Sequence, residues 1–454
     1  TITLTGDCEF DAVTVSSGDT LDLNGQRAEF SGLLSSTGTI ACGTNALVVA
    51  DSVDTTSATT GNLNLIETGD GHKHKFTSST ITNWMLNGGT IQNSAHSHMA
   101  DNIIVATGKF DVDHNIASGT PIVNITTATG AELDGNTFTL PLSGDFTTSG
   151  GLIGKSGLDF DGVASKVDCG SDSTIDNIFD GGGTVEAWIK PDSDGEGNDG
   201  RIVDKGRFIF NVESESGSTM KLRLYQYFDG MDASFVTNDR VVTKDKWNHV
   251  AVTYDNGSTT NTPKIYVDGK QVAVTNALSS TGTRDSDADF NLIIGNSAAE
   301  SKTFDGVIDM VRLFNDIRTE SEIRSNMFSQ LATSEGGLVA QYVFDEGTGG
   351  NGATTADSSA NSNTGTLGPA GNAPNWVGAG TFTYGTSTLD FTGNGQWAIS
   401  DTTTNYYNVK VAASGKTTTI NSVGSSERRP RITNLLTHGG GTLTDINNAD
   451  ITFH

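Results

Sequence analysis

Apolar and polar residues alternate over stretches of about five to eight positions along most of this chain, which is the period of a β-strand. From Thr1 to about Gly150 the stretches are short and broken by Gly, Asn and Asp, as in TITLTG, DAVTVSSG, DTLDLNGQRAEFSG, GTIACG and NALVVAD. Strands this short and closely spaced predict a solenoid or an irregular sandwich. An internal echo favours the solenoid. SGDTLDLNGQRAEFSG near Asp19, ATGAELDGNTFTLPLSG near Asp134 and GTSTLDFTGNGQWAIS near Asp390 share one shape: a strand, an Asp or Asn with Gly at a turn, then a second strand. Between the second and third copies the pattern changes. GTVEAWIKP, NHVAVTYD, PKIYVDGKQV, FNLIIGN and GVIDMVRLF are longer, stiffer strands of the kind that build two-sheet sandwiches. The expected organisation is therefore one β-rich body interrupted by an inserted domain: 1–151, then 152–377, then 378–454 continuing the first segment.

Local signals refine this. In KWNHVAVTYD alternation puts Trp247, His249, Ala251 and Thr253 on one face and Val250, Val252 and Tyr254 on the other, so a strand covered on both sides is expected. Asp268-Gly269 in YVDGK is the pair a tight hairpin requires, because both central residues take positive φ. Helical spacing occurs convincingly once, in Thr319 to Leu331, where Thr319 would cap a turn carrying Ile323, Met327 and Leu331.

Charge narrows the partners. The 454 residues include 54 acidic and 27 basic side chains, a formal charge of −27, so most faces repel phosphate and anionic lipid and nucleic acid is not an expected partner. No apolar run reaches the roughly 20 residues of a membrane span. The three cysteines, Cys8, Cys42 and Cys169, form no C-x-x-C pair and cannot build a disulfide framework; buried free thiols are expected, with a Cys8–Cys42 bridge between coils as the alternative. The chain starts at Thr1 rather than Met and shows no secretory leader, which reads as a processed or excised piece. GHKHKF (His72, His74) and AHSHMAD (His96, His98) place histidines at i and i+2 about one coil apart, as a metal stack or, more simply, a polar ladder.

The middle segment resembles the laminin-G-type members of the concanavalin A-like lectin/glucanase superfamily. The phrases that carry the resemblance are LDFDGVASKVDCG, GTVEAWIKP, KWNHVAVTYD, KIYVDGKQV, IIGN, FDGVIDMVRLFNDIRTESEI, LVAQYVFDEGTG and DSSANSNTGTL, in that order. It implies an all-β fold: a jelly-roll sandwich inserted between solenoid-like or irregular β segments. It also implies a structural calcium ion, with Asp309 as a ligand and Glu346, Asp357 and Asn363 as further oxygen donors. It does not bring an active site. The glucanase Glu-x-Asp-x-(x)-Glu strand is missing, and the nearest strings, VESESG (Glu213, Glu215) and AELDG (Glu132, Asp134), each lack a member. No catalytic residue is assigned. DSDGEGNDG from Asp192 and DSDAD from Asp285 to Asp289 read as a turn and a solvated loop rather than calcium loops.

For sugar contact the candidates are Tyr225, Tyr227 and Asp229 in LRLYQYFDG, since pyranose faces stack on aromatic rings and a carboxylate accepts from hydroxyls. Core packing is the competing role for alternate members of that strand. The expectation is a non-enzymatic structural or attachment protein on a virion surface or outside the cell: a tail fibre, tailspike or capsid decoration of a bacteriophage or virus-like particle. Its partners would be other subunits of that assembly and cell-surface glycan, and it would be a homo-oligomer, a trimer by preference. The alternatives are a bacterial adhesin or filament subunit and a polysaccharide-degrading tailspike with an accessory sugar-binding domain.

Overall fold

The computed structural model describes the chain except at 56–58, 70–71, 75–80, 94–99, 113–121, 137, 379, 384–386, 393–394, 400–404, 412–416, 423–430, 439–441, 447–451 and 454. Two compact units emerge, one made of Thr1–Lys155 with Gly378–His454, the other of Ser156–Val377.

The first unit is a parallel coil. Arg27–Ser36 pairs with Thr39–Thr55, that strand with Thr59–Glu67, then Ile81–Asn93, Ala100–Asp111 and Asn124–Ala128, every pair parallel. Successive turns of a solenoid run the same way, so each strand meets its equivalent one turn later. One apolar stack runs in register through Cys8, Ala28, Val48, Leu65, Trp84, Ile103, Ile125 and Phe146, and its members pack into a single core. Beside it lies an asparagine ladder. Asn83 Nδ2 donates to Asn64 Oδ1 (2.8 Å), Asn102 to Asn83 (2.9 Å) and Asn124 to Asn102 (2.7 Å). Asn83 and Asn102 each give to one copy and accept from the next, so a polar position inside a coil is satisfied by its own copies.

The coil resumes in register beyond the sandwich segment. Glu132–Asp134 pairs with Thr381–Thr383, Thr139–Leu142 with Thr388–Phe391, and Phe146–Gly150 with Gly395–Ile399, again in parallel. The sequence echo corresponds to a corner shape. Asp22 Oδ1 accepts from Asn24 N–H and Asp134 Oδ1 from Asn136 N–H, both at 3.0 Å, with the asparagines at φ +49° and +46°. It does not report stacking: the strand of Asp390 lies on Thr139–Leu142, not on the strand of Asp134. His72–His74 stacks on Ile91–Asn93; His96 and His98 lie outside the described residues. Cys8 and Cys42 are free thiols, Cys8 only half-buried, and burial followed by the nearby Asp22 pushes the Cys42 thiol up to about 12.

The second unit is an antiparallel sandwich. Its eight-stranded sheet runs in the order Lys270–Val272, Lys264–Val267, Asn248–Tyr254, Gly183–Pro191, Asp305–Phe314, Leu158–Asp161 and Asn375–Trp376, with Leu338–Tyr342 also on Asp305–Phe314. The ten-stranded sheet contains Val274–Leu278, Ala233–Thr237, Thr219–Gln226, Phe208–Ser216 and Asp199–Asp204 as neighbours. Alternate side chains of both sheets fill one core, including Val185, Ile189, Phe210, Leu222, Leu224, Val250 and Val252. Every residue of Asn248–Tyr254 is buried, as its two-sided pattern predicts. The outer layer over this strand is the helix Glu320–Asn326 and the segment after it. Thr319 Oγ1 accepts from Glu322 N–H while Glu322 Oε2 accepts from Thr319 N–H (2.7 Å), a reciprocal cap. Asp268 and Gly269 take φ +46° and +67°, the hairpin geometry their identities require. Among the described residues no helix is long and apolar enough to cross a membrane.

Candidate functional site

Strand Thr219–Gln226 decides which aromatics face outward. Its residues alternate half-buried and buried, and Leu222, Leu224, Gln226 and the following Phe228 point inward. Arg223, Tyr225 and Tyr227 therefore share the outer face. The two tyrosine rings meet edge to face at 5.1 Å, and Tyr225 Oη donates to Asp232 Oδ2 at 2.8 Å. Burial, and then that hydrogen bond, push the Tyr225 phenol up to about 12, so it stays a donor at any ordinary pH. Asp232 is held in turn by Phe228 N–H (3.0 Å).

Two cations border the rings. The Arg223 guanidinium lies 5.9 Å from the Tyr225 ring, and Arg207 lies 5.3 Å from Tyr227 and 4.6 Å from Phe290, with Asp285 at 3.6 Å. Asp229 is exposed, and its Oδ1 accepts from Thr283 N–H (2.7 Å). The 227–232 turn is laced to 281–285 by Asp229 N–H to Thr283 O, reciprocal bonds between Met231 and Thr281, and Asp285 N–H to Tyr227 O. Tyr225, Tyr227 and Asp229 thus belong to one corner, a rigid one with aromatic faces, carboxylates and guanidinium groups together.

Sequence reasoning missed the other half of this corner. DSDAD is not a solvated loop. Asp287 is buried, its carboxylate accepts from Asn177 N–H (2.7 Å), and Asp285 faces Arg207. Nothing local in an acidic pentapeptide separates a solvated loop from one that answers cations some 80 residues earlier. The Lys205-Gly206-Arg207 turn was the available signal.

The residues named for calcium do not form one cage. Asp357 Oδ1 accepts from Gln341 and Ser359 N–H (2.9 and 2.8 Å), and Oδ2 from Ser359 Oγ and Asn363 N–H (both 2.9 Å). That carboxylate organises its own turn. Asn363 shares a side-chain hydrogen bond with Thr174, and Glu346 takes Thr355 Oγ1 and Ala356 N–H. Asp309 is fully buried within the eight-stranded sheet, in register with Trp188 on the neighbouring strand. Among the described residues no three His, Cys, Asp or Glu side chains are grouped as a metal ion requires. Asp357 and Asn363 are brought together; Glu346 and Asp309 do not join them in a ligand set.

The carboxylate strings are answered by cations. Lys109 Nζ lies 2.5 Å from Asp134 and 3.4 Å from Glu132; Arg223 holds Glu213 at 2.9 Å and Lys244 holds Glu215 at 3.3 Å. A further charged cluster lies buried under the helical layer. Arg312 Nη1 bonds Glu186 Oε1 (2.8 Å), its Nε bonds Gln341 Oε1 (3.2 Å), and His249 Nε2 is 3.7 Å from Glu186. Burial, then the Arg312 charge, lower His249 to about 3, so it is neutral and structural.

Residues 161–324 match the family described as the Concanavalin A-like lectin/glucanases superfamily. The sandwich unit is a concanavalin A-like domain of the laminin-G type. Among solved structures, a candidate carbohydrate binding protein from Bacteroides ovatus is 20% identical at a TM-score of 0.36, covering 46% of this chain, which spans only 57% of that protein. A heptameric SAP-like pentraxin from Limulus polyphemus is 14% identical (TM-score 0.29; 37% of this chain, 80% of that one). The CBM40 of a Ruminococcus gnavus IT-sialidase, bound to α2,3-sialyllactose, is 14% identical (TM-score 0.27; 38% and 96%). No curated protein matches the chain in sequence.

Proposed function

We propose that the sandwich unit binds glycan at the Tyr225–Tyr227 corner and that the chain is a non-catalytic attachment protein, its coiled unit serving as the stiff body that carries the binding domain. The observation that carries this reading is the pair of tyrosine rings 5.1 Å apart on the outer face of a lectin-like sheet, next to Asp229, Asp232, Arg207 and Arg223. Rings of this kind stack on the C–H faces of a pyranose, while fixed carboxylates and guanidinium groups bond its hydroxyls. A shallow corner of this size gives weak single-site affinity, so attachment calls for several copies, and a trimer is the assembly we favour.

The finer placement is a tail fibre, tailspike or decoration of a bacteriophage or virus-like particle, at the virion surface or otherwise outside the cell. It is supported by the Gly-, Thr-, Ser- and Asn-rich coils, the stacked parallel strands and the interruption of one coil body by a lectin-like domain. Electron microscopy of the native assembly tests it: a helical polymer without a capsid would overturn it in favour of a cell-surface filament.

A glycan array tests the binding site. The full chain should bind a defined subset of glycans, and Tyr227→Ala, which spares the Tyr225–Asp232 bond, should weaken binding tenfold or more. An array on which the unaltered chain binds nothing removes the reading. Reducing-sugar release from any of those glycans would establish a hydrolase instead.

A further inference from the structure

Lys205 is a fully buried charge of the sandwich unit, apart from the cluster under the helix, and its side chain has no exposed surface. An ammonium in such a place is costly unless oxygens surround it. They do. Nζ lies 2.8 Å from Asp176 Oδ1, 2.7 Å from Phe290 O, 3.1 Å from Asp287 O and 3.6 Å from Asp287 Oδ1. Two carboxylates and two carbonyls converge on one point, the donor set that a hard divalent cation would take, completed by water.

The cage ties three segments. Lys205 lies on the turn between strands Asp199–Asp204 and Phe208–Ser216, Asp176 follows the short Ser173–Ile175 turn, and Asp287 and Phe290 belong to the loop that borders the tyrosine corner. The neighbours of Lys205 grip the same loop. Gly206 has φ +71°, and a Cβ there would fall 2.3 Å from the Phe290 ring, so only glycine lets the ring approach; Arg207 then lies over that ring. Asn177 closes the other side, its N–H on Asp287 Oδ1 and its Oδ1 accepting from Asp287 N–H (3.1 Å) and Arg284 Nη1 (2.6 Å).

We propose that Lys205 is a built-in cation that does the work of a loop-holding metal ion, so that this loop is metal-independent in the natural chain and the cage becomes a calcium site once the ammonium is removed. Lys205 is then a positioning residue for Asp285, Phe290 and Arg207 at the corner, a consequence that rests on the glycan-binding reading; the cage itself does not.

Calorimetry of the full chain, with Lys205→Ala and Lys205→Met beside it, in EDTA and in millimolar calcium, tests this. The sandwich transition of the unaltered chain should be the same in both. Lys205→Ala should melt roughly 10 °C lower in EDTA and recover most of that in calcium, whereas Lys205→Met, whose side chain fills the cage without charge, should stay low in both. An alanine variant that gains nothing from calcium, or an unaltered chain that gains as much, overturns the proposal. Should the alanine variant fail to fold, hydrogen exchange of segment 284–292 in the unaltered chain decides. Equal, slow exchange in EDTA and calcium is expected, and slowing by calcium overturns it. Glycan affinity read on the same samples separates the two ideas: a chain that binds no glycan ends the corner reading, while the melting comparison still judges Lys205.

Discussion

The two units answer buried polar groups in opposite ways. In the coil, an asparagine amide is satisfied by its own copy 19 to 22 residues on, and the arrangement repeats from Asn64 to Asn124. In the sandwich, the most deeply buried charges are answered by residues of other types far away in sequence, with no repeat: Arg312 by Glu186 across 126 residues, Lys205 by the Asp287 carbonyl across 82. Repeats whose contacts reach only to neighbouring coils give stability that is close to a sum of local terms. A sandwich closed by long-range partners stands or falls as one piece. Specific chemistry accordingly collects in the second unit, where no position is constrained to resemble its neighbour.

The comparison breaks most visibly at Arg312. Arg312→Met leaves Glu186 charged and buried without its main partner, and should cost the sandwich about 3–5 kcal/mol; adding Glu186→Gln should return much of it in the same urea titration. A single-variant loss below about 1 kcal/mol would show that the cluster is not doing what its burial implies. Trp84→Ala removes comparable contact, about 3–5 kcal/mol, but in the coil the loss should be local. Hydrogen exchange should quicken in the coils next to residue 84 while the sandwich transition stays put, and a shared shift of both units would contradict the additive picture. Asn102→Ala strips partners from both Asn83 and Asn124 and should cost about 1–3 kcal/mol, more than the same change at Asn64, which ends the ladder as far as the described bonds run.

Smaller effects sharpen the contrast on the sandwich side. Gly269→Ala forces a side chain into φ +67° and should cost about 1 kcal/mol by thermal melting, without touching the coil. At the helix cap, Thr319→Ala should cost about 1 kcal/mol. Thr319 N–H, then its hydroxyl, hold the Glu322 carboxyl below the usual range. A carboxyl lowered in the folded state contributes stability that is fully present above its unfolded value and lost as pH falls through its lower folded one. Glu322→Gln should therefore flatten a small acid-side decline in sandwich stability between those two values, and an unchanged pH profile would show that the cap bond does not form in solution.

Much of this was legible in the chain. Two-sided alternation in NHVAVTY, the Asp268-Gly269 hairpin, the Thr319 cap and the Asp-x-Asn corners at Asp22 and Asp134 each depend on residues adjacent in sequence, and each appears as its pattern requires. The asparagine ladder was also present, as an Asn with a following Leu, Trp or Ile in NLNLIE, ITNWML, ADNIIV and IVNITT, but its spacing of 19, 19 and 22 residues is too uneven for a fixed-period reading. Half of the tyrosine corner was legible and half was not. Alternation fixes which face Tyr225 and Tyr227 occupy, yet only folding brings Arg207, Asp285 and Phe290 beside them.

What the sequence determined by itself is whatever rests on strand period and turn chemistry: the all-β class, the change of style at the sandwich, and the local turns and cap, because those forces act within a few residues. What tertiary structure alone decided is which distant charges share a dry space. Asp309, Glu346, Asp357 and Asn363 read alike as oxygen donors, but the fold spends Asp357 on its own turn and buries Asp309 elsewhere, while Lys205 and Asp287, plain charges in sequence, become a cage. Desolvation gives a charge its role, and desolvation is a property of the packed chain rather than of any short stretch of it.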